Sequence, residues 1–150
     1  MKIIEKDILT VEKGIICQSV NCQGKMNSGL AKQIREKYPE VYERYLKLYQ
    51  STPFDFLLLG HEQIIHIGDS LLICNIFGQL NFGYDGKRYT DYGSLQKAFN
   101  CLFEMEALNN YQFYFPFNFG CDRGGADWNI VSKMIDYYFP EAIICKLPEK

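Results

Sequence analysis

The sequence predicts an α/β chain folded as three layers, α/β/α, and two observations carry that prediction. Short apolar runs alternate with stretches of helical period through most of the chain. Two of those runs end in small, polar, glycine-bearing loops that lead directly into a helix: one loop follows residue 21, the other spans 118–126. A strand feeding a helix through such a loop sets unpaired backbone N–H groups at the carboxyl edge of a sheet, where an anion can use them.

Taken in order, Ile3 and Ile4 begin a short first strand. Residues 15–21 form the next. Their nearly continuous apolar character suits a strand covered on both faces. Asn27 or Ser28 caps the helix that follows, with Leu30, Ile34 and Tyr38 spaced four apart, and Pro39 interrupts it. Val41, Tyr42, Tyr45, Leu46 and Tyr49 mark a second helix. Residues 56–59 and 63–67 read as strands joined in a hairpin through Gly60, His61 and Glu62. Residues 71–77 read as a further strand, running into a long polar and aromatic loop over 78–87. Thr90 or Asp91 caps a helix over 92–108 whose stripe is Leu95, Phe99, Leu102, Met105 and Leu108. A strand over 112–117, a helix Trp128–Tyr138 capped by Asp127, and a late strand over 142–147 complete the pattern.

At 150 residues with 47% apolar content, the chain fits one domain with a sizeable core. No linker, repeat or low-complexity tract divides it. A net charge of −2 supplies no broad basic field for DNA or RNA, although a few local donors suffice for a nucleotide. None of the six cysteines forms a Cys-x-x-Cys pair, so free thiols are expected. No leader or bilayer-length apolar run is visible, and a cytoplasmic monomer without a membrane partner follows as the expectation.

In the first loop Gly24 and Gly29 permit turns or a close approach of phosphate, while Asn21, Gln23 and Asn27 offer neutral polar contacts. In the second, Gly120, Gly124 and Gly125 can form an opposite wall, although ordinary turns would use the same residues. The Gly-Lys-Ser/Thr ending of a Walker loop and the Gly-x-Gly-x-x-Gly dinucleotide spacing are both absent, which sets aside ATP hydrolysis and nicotinamide redox chemistry. His61 and His66 do not share a strand face, and no metal or cofactor is called for. Cys22 and Cys121 lie in the two loops without a sequence-coded histidine base, so packing beneath the loops is their ordinary reading.

Val20-Asn21-Cys22-Gln23-Gly24 followed by Asn27-Ser28-Gly29-Leu30-Ala31, with the late Gly120-Cys121 and Asp127-Trp128, resembles the macro domains, particularly their compact bacterial and phage-like members. The stretches Asn75-Ile76-Phe77-Gly78-Gln79 and Tyr84-Asp85-Gly86-Lys87-Arg88-Tyr89-Thr90-Asp91-Tyr92 look like the same branch. The resemblance implies a central mixed sheet between helices, and ADP-ribose or an ADP-ribosylated substrate as ligand. It matches Asp7, with Ile8 beside it, to the acid that recognises the adenine amine; a strand-end acid that caps a turn is the alternative. It matches Asn21 to the asparagine near the distal ribose, and Gly29, Leu30 and Ala31 to the first phosphate segment. Phe119, Gly120, Cys121 and the turn through Asp122, Arg123, Gly124 and Gly125 match the second ligand loop.

Hydrolytic members of the family it resembles use more than one arrangement, including ones with a lysine near the middle strand or an acid in the late loop. Here the middle strand reads Asn75-Ile76-Phe77-Gly78, and Gly124 stands where the lysine–acid branch places its acid. Asp122 is accordingly the candidate general acid/base, with Asn21 orienting a ribose hydroxyl or water. The expected function is ADP-ribose binding with hydrolysis of a derivative, either ADP-ribose 1''-phosphate or an ADP-ribosyl adduct; the alternative is a non-catalytic reader. Lys25 and Arg123 could reach a phosphate or serve only as solvated loop charges, Lys87 and Arg88 could close over a ligand from the middle loop, and Tyr84 or Tyr89 could pack on adenine or ribose or simply anchor that loop.

Overall fold

Residues 1–148 are described by a computed structural model. Six strands form one sheet: β1 (Lys2–Glu5), β2 (Gly14–Asn21), β3 (Glu62–Ile67), β4 (Leu71–Gln79), β5 (Phe113–Pro116) and β6 (Ile143–Lys146), in the order β1-β6-β5-β2-β4-β3. Every neighbouring pair is parallel except β3–β4, so β3 is an antiparallel edge on an otherwise parallel sheet. Helices α1 (Gly29–Lys37) and α2 (Pro39–Ser51) cover one face; α3 (Tyr92–Phe103) and α4 (Trp128–Tyr138) cover the other.

The period of two along β2 and β4 explains the layering. Ile15, Cys17, Cys74 and Ile76 pack with Leu95, Phe99, Val131 and Ile135 of α3 and α4. Ile16, Val20, Ile73 and Phe77 point the other way, onto Ile34, Val41 and Tyr45 of α1 and α2. All nine residues of β4 are buried, as its central place requires. All six cysteines are free thiols. Among the described residues no helix is long and apolar enough to cross a membrane, and no group of three or more His, Cys, Asp or Glu is placed to hold a metal.

The fold departs from the sequence-based expectations in three places. Residues 56–59 are not a strand: Asp55–Leu57 forms a 3-10 turn with Phe56 and Leu57 about half exposed, and β3 makes its hairpin with β4 instead. A four-residue apolar run carries no period that distinguishes a strand from a turn. Helix α3 ends at Phe103, and Leu108 reaches the core from a separate 3-10 turn, Glu106–Leu108, so the apolar stripe outlasts the helix. Strand β5 is short, and β2 pairs with it only at Ile15–Phe113 and Ile16–Tyr114. Beyond Ile16 the two strands separate, and the parting opens a cleft at the carboxyl edge of the sheet.

Candidate functional site

The cleft has a cavity volume of about 180 Å³ and lies between three loops: 22–28 after β2, 80–91 after β4 and 117–127 after β5. Its walls bring together most of the sequence-predicted residues. Asn21, Asn27, Ser28, Gly29, Leu30 and Ala31 line one side. Phe119, Gly120, Asp122, Arg123 and Gly124 line the other.

The first wall is the start of α1. Ser28 occupies the cap position with extended backbone, yet makes no side-chain cap, and Asn27 Oδ1 is taken by Arg35 Nη1 at 3.2 Å. The expected cap is therefore not formed. By contrast Asp91 caps Ser94 and Asp127 caps Asn129. The first-turn N–H groups of α1 have no acceptor among the described residues and stand at the cleft wall, at the positive end of the helix.

The second wall is fixed from behind. The Gly124 carbonyl accepts from Tyr89 N and Thr90 N at 2.8 and 2.9 Å, and the Gly120 carbonyl from Thr90 Oγ1 at 2.7 Å. The N–H groups of Gly120, Asp122, Arg123 and Gly124 donate to no acceptor among the described residues. The Phe119 ring is buried against Phe99 and Phe115, so its side chain anchors the loop in the core.

Asn21 is committed to the loop it begins. Its Oδ1 accepts from Gln23 N and from Tyr45 Oη, both at 2.9 Å, and its Nδ2 donates to the Lys25 carbonyl at 2.9 Å. One N–H of the amide is left for a ligand. Tyr45 Oη also bonds the Asn21 carbonyl at 2.7 Å, and burial pushes its phenol pKa up.

Five predicted residues do not line the cleft: Asp7, Ile8, Gly24, Cys121 and Gly125. Asp7 Oδ1 caps a 3-10 turn, Ile8–Thr10, through Leu9 N at 3.0 Å, and Ile8 is buried in the core. That turn packs on β5 at the same carboxyl edge. Gly24 and Gly125 have φ of 74° and 70° and serve the loops' shape; a Cβ on Gly24 would meet the Tyr49 ring at 2.8 Å, and one on Gly125 the Lys87 carbonyl at 2.5 Å. Cys121 sits behind its loop. Burial first, then Asp122 and Asp127, push its thiol up to about 11; burial and then Asp55 push Cys22 up to about 12. Both are protonated at neutral pH and poor nucleophiles.

Lys25 and Tyr84 line the cleft, whereas Lys87, Arg88 and Tyr89 do not. The Arg123 guanidinium lies 4.2 Å from the Tyr84 ring centroid, and Phe82 packs edge-on against Tyr84, so loops 80–91 and 117–127 meet across the mouth. The Asp122 carboxylate is exposed at the wall, with no hydrogen-bond or ion-pair partner among the described residues. Gln18, Ser19, Gln79 and Phe82 also line the cleft and went unread in the sequence. Gln18 and Ser19 interrupt an apolar strand, which was the available signal.

No family model matches the sequence, and no curated protein matches it. Solved structures do. A protein of unknown function from Bacteroides thetaiotaomicron superposes with a TM-score of 0.84 at 19% identity, with 97% of each chain covered. The macrodomain of Mycobacterium tuberculosis DarG gives 0.79 at 20% identity, over 99% of this chain and 97% of that one. Thermosipho africanus DarTG, solved in complex with ADP-ribose, gives 0.79 at 18% identity over 97% of this chain, which spans 41% of it. The parallel sheet with one antiparallel edge, the paired helical layers and these superpositions agree: the chain has the macrodomain fold.

Proposed function

We propose that the protein binds ADP-ribose, free or attached to another molecule, and that an ADP-ribose derivative is hydrolysed in the cleft. The observation that carries the binding half is the pair of unpartnered amide sets, one on α1 and one on residues 120–124, flanking a single cleft. Two such sets on opposite sides suit a diphosphate, whose two groups each take a wall. The cavity is smaller than the ~300–1,000 Å³ of a pocket that encloses a drug-sized ligand. It suits the diphosphate and one ribose, with adenine lying along the open sheet edge toward Asp7. The likeness to a DarTG structure solved with ADP-ribose supports this choice among diphosphates.

For hydrolysis, Asp122 is the acid/base and the one free N–H of Asn21 orients a ribose hydroxyl or water. The uncommitted Asp122 carboxylate at the cleft wall supports this. The occupied Asn21 Oδ1 and the absence of a lysine from β4 support the reader alternative. Titration calorimetry with ADP-ribose, followed by product release from ADP-ribose 1''-phosphate and from ADP-ribosylated protein and DNA, separates the two. Binding with turnover abolished by Asp122→Asn is expected. Binding without turnover on any of these substrates makes the protein a reader, and no heat at saturating ADP-ribose overturns both readings.

A further inference from the structure

Beneath the cleft a chain of side-chain amides crosses three strands on the α1–α2 face. Gln63 Nε2 of β3 donates to the Arg44 carbonyl of α2 at 3.1 Å; Asn75 Nδ2 of β4 donates to Gln63 Oε1 at 3.1 Å; Gln18 Nε2 of β2 donates to Asn75 Oδ1 at 2.7 Å. Gln18 and Asn75 are 1% and 0% exposed. Gln18 Oε1 is buried and has no partner among the described residues, and Gln18 lines the cleft.

The direction of the chain is fixed from its far end. A backbone carbonyl only accepts, so Gln63 must present its NH2 group to Arg44 and its oxygen to Asn75. Asn75 must then turn its oxygen to Gln18, and Gln18 is left with its own oxygen unpaired. Each donated N–H also raises the negative charge on the carbonyl behind it, making the terminal oxygen a stronger acceptor. An unpartnered acceptor repels phosphate and takes an O–H or N–H.

We propose that Gln18 Oε1 is a specificity contact that accepts a hydroxyl of the ligand's terminal ribose, and that Gln63 and Asn75 are positioning residues for it. The assignment rests on the ADP-ribose reading. The strand order supports the choice of ribose: Asp7 follows β1 on one side of the cleft, and Gln18 and its chain belong to β2-β4-β3 on the other. With adenine toward Asp7 and the diphosphate between the amide walls, the far sugar falls on the Gln18 side.

The test compares dissociation constants for ADP-ribose and ADP, which lacks that sugar, in the wild type, Gln18→Met and Gln63→Met. Gln18→Met is expected to weaken ADP-ribose about tenfold, the loss of one buried hydrogen bond, while changing ADP less than about twofold. Gln63→Met does not touch the cleft, yet frees Asn75 and Gln18 to reverse. It is expected to narrow the preference in the same direction by a smaller factor, and it reads the proposal even if Gln18→Met fails to fold. Equal losses for both ligands, as a purely structural amide chain would give, overturn the proposal, and so does an unchanged preference in both variants. Wild-type protein that binds neither ligand overturns the ADP-ribose reading itself, a result distinct from either.

Discussion

Replacing Tyr45 by Phe tests whether the first wall of the cleft is held from below. The phenol is fully buried and its one hydrogen is shared between the Asn21 carbonyl at 2.7 Å and Oδ1 at 2.9 Å. Phe fills the same space and keeps the stack on Phe77, whose centroid lies 5.8 Å away, so no cavity term enters. What is lost is the hydrogen bond and the solvation of acceptors that stay buried, together about 2 kcal/mol. With a urea m-value of about 2 kcal/mol/M, the unfolding midpoint falls by about 1 M at unchanged slope. Tyr45 does not line the cleft, so any loss of ADP-ribose affinity must pass through Asn21 and the 22–28 loop; a several-fold rise in Kd is expected. A midpoint within about 0.2 M of wild type, with unchanged Kd, would refute the claim that this hydroxyl organises the loop.

Gly124→Ala should abolish ligand binding at modest cost in stability, because its Cβ would stand 2.4 Å from both the Gly120 carbonyl and Thr90 Oγ1 and must displace the second wall; calorimetry with thermal melting reads both. Asp127→Ala removes the α4 cap made to Asn129 N and should cost about 1 kcal/mol in urea unfolding while leaving Kd unchanged, since Asp127 lies off the cleft. With Cys121 held up to about 11, about one molecule in a thousand carries the thiolate at pH 8. Raising the pH deprotonates the thiol, so peptide-resolved alkylation by iodoacetamide should quicken about tenfold per pH unit between 8 and 10. Labelling of Cys121 at pH 8 as fast as free cysteine would show an activated thiol instead.

The order of helices and buried strands was legible because period two and period 3.6 differ plainly in β2, β4, α3 and α4. The two loops were legible as a pair because glycine and small polar residues sat between a strand and a helix each time. What escaped was of two kinds. Residues 56–59 show that an apolar run too short to carry a period does not decide between strand and turn. Gln18, Asn75 and Gln63 show the other kind. Gln18 and Asn75 are register partners, as are Gln63 and Asn75, but 57 and 12 residues separate them along the chain. A polar residue in each of three strands was visible; that they face one another depends on strand order. Asn21 was singled out for ligand contact, and its side chain is mostly spent closing its own loop, a local competition that residue type alone does not reveal.

The strand order also dictates when the molecule can be finished. Among the described residues β1 pairs only with β6, with Ile3 set against Ile144, so residues 2–5 cannot take their place in the sheet until residues 143–146 have been made. A nascent polypeptide stalled before residue 143 has already made β2, β4 and β5, the strands that frame the cleft, but carries a solitary β1 and an open flank on β5. Such bare edges are templates for intermolecular pairing. Truncation before residue 143, which removes β6, should therefore show itself first as insolubility, ahead of any change in the helices.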